Sequence, residues 1–232
     1  MSIATRPHAV PTGRAPRSRS WTTACRRATL AIAFLLPFAT LDAEAGPRSR
    51  PIRTGQTTCY DVTGAVIACA GTRQDGDLKR GERRSYADEG NGTIRDKRAG
   101  LTWEKLSDDD TIHDKDNTYT WEQAFGKIET LNDTSFAGFD DWRLPNATEL
   151  ATLLDLGVVQ PAISSAFQAG CTGGCTVLTC TCMPGPSRIF WTSTTAPADT
   201  SQAFAISFDF GSVTPRDKTE PYRVRAVRGG AN

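Results

Sequence analysis

The chain has 232 residues, with 27 Lys plus Arg against 26 Asp plus Glu and a formal net charge of +1. That length fits one large domain, or one medium domain with tails. The near-balance of charge gives no overall electrostatic case for nucleic acid. The 38% of hydrophobic and 8% of aromatic residues are adequate for a single mixed core.

Arg14 to Arg27 supply a basic stretch, and the apolar run Ala28 to Thr40 follows it. The run is shorter than the ~18 residues that cross a bilayer. Ala43-Glu44-Ala45 then offers small residues at a cleavage site, so residues 1–45 are expected to be a signal peptide, with an uncleaved anchor as the alternative. This segment holds six Arg, one Asp and one Glu, which leaves 21 basic and 24 acidic residues in the remainder. No stable membrane span is expected after cleavage. Export to the periplasm, the cell surface or the medium follows, and the even set Cys59, Cys69, Cys171, Cys175, Cys180 and Cys182 fits an oxidising compartment. Cys59 with Cys69 is the natural first pair. Several linkages are open to the other four, and Cys180 with Cys182 is disfavoured because a one-residue loop would be strained.

Residues 46–85 form an N-terminal extension. Gly46 to Gly55 is a Pro/Arg/Gly-rich linker, and Cys59 to Cys69 encloses a small hairpin. Gln74-Asp75-Gly76-Asp77 is acidic but lacks the full calcium-loop pattern, so a solvated turn is expected.

The main domain is expected over residues 86–229, with 230–232 as a tail. Asn91-Gly92 signals a hairpin between Thr93–Asp96 and a strand of Leu101, Thr102, Trp103, Glu104 and Lys105. In that strand, Leu101 and Trp103 share one face, and Thr102 and Glu104 the other. The polar loop Ser107 to Asn117 follows. Asp108, Asp110, Asp114, Asp116 and Asn117 offer oxygens for calcium if the loop folds back, against the plainer reading of an exposed acidic loop. His113 is a candidate acid–base group and has no second histidine after residue 45 with which to build a zinc site.

Thr120 with Gln123 opens a helix in the capping-box pattern, and Trp121, Ala124, Phe125, Ile128 and Leu131 should be its buried stripe. Asn146 with Glu149 opens a second, with Leu150, Ala151, Leu153 and Leu154 as its apolar side and Gly157 as its stop. Between them, Asp141-Trp142-Arg143-Leu144-Pro145 should turn Trp142 and Leu144 into the core, with Arg143 held by carboxylates and Pro145 fixing the helix start. Pro161 is placed to start a helical turn through Phe167.

The stretch Ala169 to Pro186 carries four cysteines among Gly and Thr, and disulfides are favoured there over zinc. Strands are expected at Ile189–Thr195 and Ala203–Phe208, the latter with Phe204, Ile206 and Phe208 on one face. Phe210 to Val213 should make a hairpin return, and the last strand, Tyr222 to Arg228, should have a partly basic face. Trp103, Trp121, Trp142, Arg143, Leu144, Pro145 and Trp191 are read as structural anchors.

An ordered series of motifs resembles the Lcl C-terminal domain family, named for a bacterial collagen-like adhesin. The series comprises residues 91–96, 100–105, 119–124, 141–150, 190–195 and 222–228, and the resemblance covers roughly Tyr86 to Gly229. The resemblance implies an α+β single domain similar to the C-type lectin fold, here with a disulfide-stapled inserted loop. It also implies an exported protein, and in the named adhesin the domain recognises sulfated glycans.

The expected function is therefore noncatalytic binding of an anionic or sulfated surface glycan, or of another envelope component. The candidate surface combines the cysteine loop with Arg188, Arg216, Lys218, Arg223, Arg225 and Arg228. A structural envelope module without a ligand is the alternative, and a secreted hydrolase using Asp140 and Asp141 is a third reading. Adjacent carboxylates do not face each other across a cleft as a glycosidase pair must, and no other catalytic motif is present. No catalytic residue or obligatory cofactor is assigned, and oligomeric state is left open.

Overall fold

A computed structural model describes residues 51–230. The signal peptide expected over 1–45 lies outside the described residues, as do residues 46–50 and 231–232.

The expected first hairpin forms from Cys59–Tyr60 (β1) and Val66–Ile67 (β2) and is closed by the Cys59–Cys69 disulfide. The acidic run after it becomes a one-turn helix, Asp75–Leu78 (α1). Tyr86–Asp88 (β3), Thr93–Asp96 (β4) and Leu101–Glu104 (β5) follow as a meander. Both central helices begin where their caps predict. Thr120 and Gln123 cap Trp121–Asp133 (α2) reciprocally, and Asn146 and Glu149 do the same for Ala147–Ala151 (α3). Ile189–Thr195 (β6), Gln202–Ser207 (β7) and Ser212–Asp217 (β8) make a second meander, and Val227–Gly229 (β9) closes the series.

Among the described residues the result is a mixed α+β fold with three antiparallel sheets. β1 and β2 pair alone. The strand order β3-β4-β5-β9 brings the end of the chain back beside its first long strands, and β6-β7-β8 forms the third sheet. Two buried clusters fill the interior. One gathers Ile94, Trp103, Leu150, Phe167, Phe190 and Phe208 under the four-stranded sheet. The other gathers Ala124, Leu131, Trp142, Leu144, Trp191 and Val224 beneath α2. Among the described residues no helix is long and apolar enough to cross a membrane.

The segment Trp142–Pro145 ties these parts together. Trp142 and Leu144 are buried, and Arg143 exchanges backbone hydrogen bonds with Val227 at 2.9 and 3.0 Å. The Arg143 guanidinium meets both Glu149 oxygens, at 2.6 and 2.7 Å, so the residue that completes the cap of α3 also holds the arginine.

Several boundaries differ from expectation. Phe125 is 39% exposed, and Lys127 takes the buried place on α2. Phe125 instead packs edge-on against Trp121 at 4.7 Å, one turn earlier. α3 ends at Ala151, and Leu153 and Leu154 are buried from the turns that follow. Gly157 does not stop a helix. The Gly55 carbonyl lies 2.3 Å from where its Cβ would stand, so the backbones of 55 and 157 touch. The helical turn near Pro161 runs from Ser165 to Phe167, because the Ser164 hydroxyl accepts from Ala166 N and sets the cap there. Phe204 is half-buried rather than core. In the last stretch only Val227–Gly229 is strand; Tyr222 and Arg223 contribute single bridges to Tyr119 and Phe190.

Candidate functional site

The cysteine loop closes through Cys171–Cys182 and Cys175–Cys180, one pair nested within the other. It is stitched to the strand exit by Cys182 N to Leu106 O (2.8 Å) and Asp108 N to Cys175 O (3.0 Å). Its sulfurs are thereby consumed, which removes the zinc alternative.

The six basic residues expected to share one surface do not converge. Arg225 is 1% exposed, a correction to its assignment as a ligand contact. Its guanidinium donates to Glu104 O at 2.7 Å and Cys182 O at 3.1 Å, so it fastens the cysteine loop from inside. The Arg223 guanidinium donates to Lys115 O and Ser187 O. Arg188 pairs with Asp209 at 2.6 Å. Lys218 lies 4.0 Å from the Trp121 ring, and Arg216 faces Tyr222 at 5.9 Å. Arg228 is elsewhere, on β9.

The acidic loop folds back far enough to bring Asp108, Asp114 and Asp116 within reach of a common point. The Lys115 ammonium already sits there, 2.7 Å from Asp108 and 2.5 Å from Asp116. Burial alone would lower the Lys115 pKa, and the two carboxylates overcome this and hold it above its ordinary value. Asp114 accepts from the backbone N–H groups of Asp109, Asp110 and Asp116. Asn117 donates to Thr111 O, and Asp110 adopts a left-handed turn conformation. Calcium at this loop would have to displace Lys115.

Sequence reasoning missed a buried charge cluster. Glu104, 0% exposed, receives the Lys127 ammonium and His113 Nδ1 on one carboxylate oxygen, both at 2.8 Å. Ala226 N donates to its other oxygen at 2.9 Å. Desolvation favours the protonated acid, yet Lys127, His113 and the Ala226 N–H together hold the carboxyl down at about 2. Burial pulls the Lys127 ammonium below its ordinary value although Glu104 attracts it. The direction that stands is the ionised carboxylate, because three donors converge on it. The signal for Lys127 was its place at i+3 between Ala124 and Leu131 on the buried stripe of α2.

The open site lies on the outer face of the four-stranded sheet. Register sets Arg95 of β4 opposite Thr102 of β5, and Thr102 opposite Arg228 of β9, so the three form a row across the sheet. The row lines a groove of about 300 Å³ with Asn91, Thr93, Glu89 and Phe139. The Arg228 guanidinium stacks 3.6 Å above the Phe139 ring and is held by both oxygens of Asp141, at 2.6 and 3.1 Å. It keeps the Asp141 carboxyl below the usual range. The Arg95 side chain is exposed and makes no hydrogen bond or ion pair with the described residues. Phe139 in turn packs on Trp142, so the groove rests on the central motif.

The sequence model of the Lcl C-terminal domain family matches residues 92–228, more than half of the chain. The chain belongs to the Lcl C-terminal domain family. The matched span includes Arg95, Thr102, Phe139 and Arg228, while the hairpin closed by Cys59–Cys69 and all of α1 precede it. No curated protein matches the chain.

Proposed function

We propose that this Lcl C-terminal domain protein is an exported, noncatalytic module with a C-type lectin-like fold that binds an anionic or sulfated surface glycan in the sheet groove. The observation that carries the reading is the row Arg95–Thr102–Arg228 beside Phe139. An aromatic edge, hydroxyl and amide groups and an uncommitted guanidinium match a ring that carries hydroxyls and an acidic substituent. Arg223 and Arg188 are less suited, since their guanidinium groups are already taken by carbonyls and by Asp209.

The noncatalytic part rests on the fate of the acidic groups. Glu104 is sealed in the core with three donors on it, and Asp141 is committed to Arg228. The three disulfides fit an oxidising compartment outside the cytoplasm.

A glycan array probed at low and high salt tests this reading. Binding to sulfated or otherwise acidic glycans should fall as salt rises, because exposed charges are screened. Arg95→Ala and Arg228→Ala should each weaken the strongest hit by roughly tenfold, with melting temperatures unchanged for Arg95→Ala. Absence of any hit from folded, oxidised protein would favour a structural envelope module.

A further inference from the structure

A second cavity, larger than the sheet groove, lies elsewhere in the fold. It has a volume of about 470 Å³ and lies where residues 53–57 cross residues 75–84 and the turn at Asp155. Four cations line it: Arg53, Lys79, Arg83 and Arg84. All four precede the span matched by the family model, which begins at residue 92.

The cavity is built rather than incidental. Ile52 bridges Glu82, with Arg53 N to Glu82 O and Glu82 N to Pro51 O both at 2.9 Å. Gly81 allows that crossing, since Pro51 O lies 2.5 Å from where its Cβ would stand. Arg53 Nε then donates to Gly81 O at 2.8 Å, which fixes one guanidinium in the wall. A second is fixed by Arg84, which donates to Leu154 O and lies 3.7 Å from Asp155. The opposite wall closes because residue 55 is glycine with φ of +98°. The Asp155 carboxylate occupies the space a Cβ would need, at 1.8 Å.

The Lys79 and Arg83 side chains stand exposed at the rim and make no hydrogen bond or ion pair with the described residues. The two lining acids already have partners. Asp75 accepts from the Thr54 hydroxyl, and Asp155 accepts from Gly157 N at 3.0 Å. Four positive groups against two negative ones leave the lining with a surplus of two positive charges. Unpaired cations of like sign held together raise one another's energy, and an anionic group entering between them relieves this.

We infer that this cavity is a second binding site, specific for a monosaccharide-sized ligand that carries a phosphate or sulfate monoester. Its volume lies in the range of small-molecule sites, ~300–1,000 Å³, so it accommodates a ring as well as the anionic group. Arg53, fixed through Nε, presents its two terminal nitrogens to the oxyanion oxygens, Arg84 adds positive charge from the wall, Lys79 and Arg83 supply charge at the mouth, and Ser164 and Gln56 line the space for the ring hydroxyls. The inference goes beyond the sheet groove and does not depend on it.

Titration calorimetry of the full-length, oxidised protein carrying Arg95→Ala, which weakens the sheet groove, with glucose 6-phosphate, glucose 6-sulfate and glucose tests it. Both esters, or one of them, should bind with one-site stoichiometry, and glucose should give no heat. The ester that binds tells the phosphate source from the sulfate source, and inorganic phosphate or sulfate should bind more weakly than its ester. The double variant Lys79→Ala/Arg83→Ala removes two groups without protein partners, so the fold stays intact. It should lose affinity by about tenfold or more. No heat from either ester at millimolar concentration overturns the inference. So does equal binding when Lys79→Ala/Arg83→Ala is added, which would place the ligand outside this cavity.

Discussion

Replacing Glu104 by glutamine is expected to cost about 3–5 kcal/mol of folding stability, the usual loss when one partner of a buried ion pair is removed. The carboxylate is the meeting point of β5, α2, the acidic loop and the chain segment before β9, through Lys127, His113 and Ala226 N. Glutamine keeps the shape but leaves the Lys127 ammonium buried beside Arg225 without a counter-charge. Against a total of about 5–15 kcal/mol for an ordinary domain, the loss is large. Denaturant melts measure it. The added substitution Lys127→Met should recover part of the loss, since an uncompensated buried ammonium is the source of the cost. The pH dependence has a definite sign. The folded carboxyl is held at about 2, below its ordinary 4.5. Its contribution is therefore complete above about pH 4.5 and fades as pH falls towards 2. The wild type should lose stability across that window faster than Glu104→Gln.

Trp142→Ala should be comparably damaging, by about 3–5 kcal/mol. The indole is 2% exposed and contacts the rings of Phe136 and Phe139. Its Nε1 donates to Phe136 O at 3.0 Å, and Asn132 brackets its backbone with bonds of 2.7 and 3.0 Å. Alanine leaves a cavity, removes one of the two donors on the Phe136 carbonyl and takes away the ring on which Phe139 packs. Asp133→Ala, exposed at the end of α2, should change stability by less than about 0.5 kcal/mol. Trp142→Phe restores the packing without the hydrogen bond and should fall between the two. Because Phe139 is the aromatic edge of the groove, Trp142→Ala should also weaken glycan binding in whatever fraction remains folded. Equal melts for Trp142→Ala and wild type would contradict the packing account.

What was legible in the sequence was local. The two capping boxes need partners three residues apart, and Thr120 with Gln123 and Asn146 with Glu149 show them directly. The Cys59–Cys69 hairpin and the meander strands likewise have their signals within a few residues. The failures have a common cause in partners far along the chain. Arg225 looks like the outward side of an alternating strand, yet its acceptors lie 121 and 43 residues away, at Glu104 and Cys182. Nothing local distinguishes such an arginine from a ligand contact. The alternation at Leu101–Glu104 sets Glu104 opposite Leu101 and Trp103 but carries no sign that packing from α2 and the acidic loop buries it. The groove was half visible. Arg228 was singled out, but Arg95 joins it only through the register of β4, β5 and β9. The closing strand pairs with β5 after more than a hundred intervening residues, and no turn signal specifies that pairing.

The central claim is that the row Arg95–Thr102–Arg228 beside Phe139 receives an acidic glycan. The most direct measurement is a nuclear magnetic resonance titration with a sulfated disaccharide and its unsulfated counterpart. It follows the backbone amides of β4, β5 and β9 together with the arginine Nε–H signals. Shifts should concentrate at Arg95, Thr102, Phe139 and Arg228, and should be much larger for the sulfated sugar. Shifts confined to Arg188 and Arg223 at the exit of the cysteine loop, or none at all, would contradict the account.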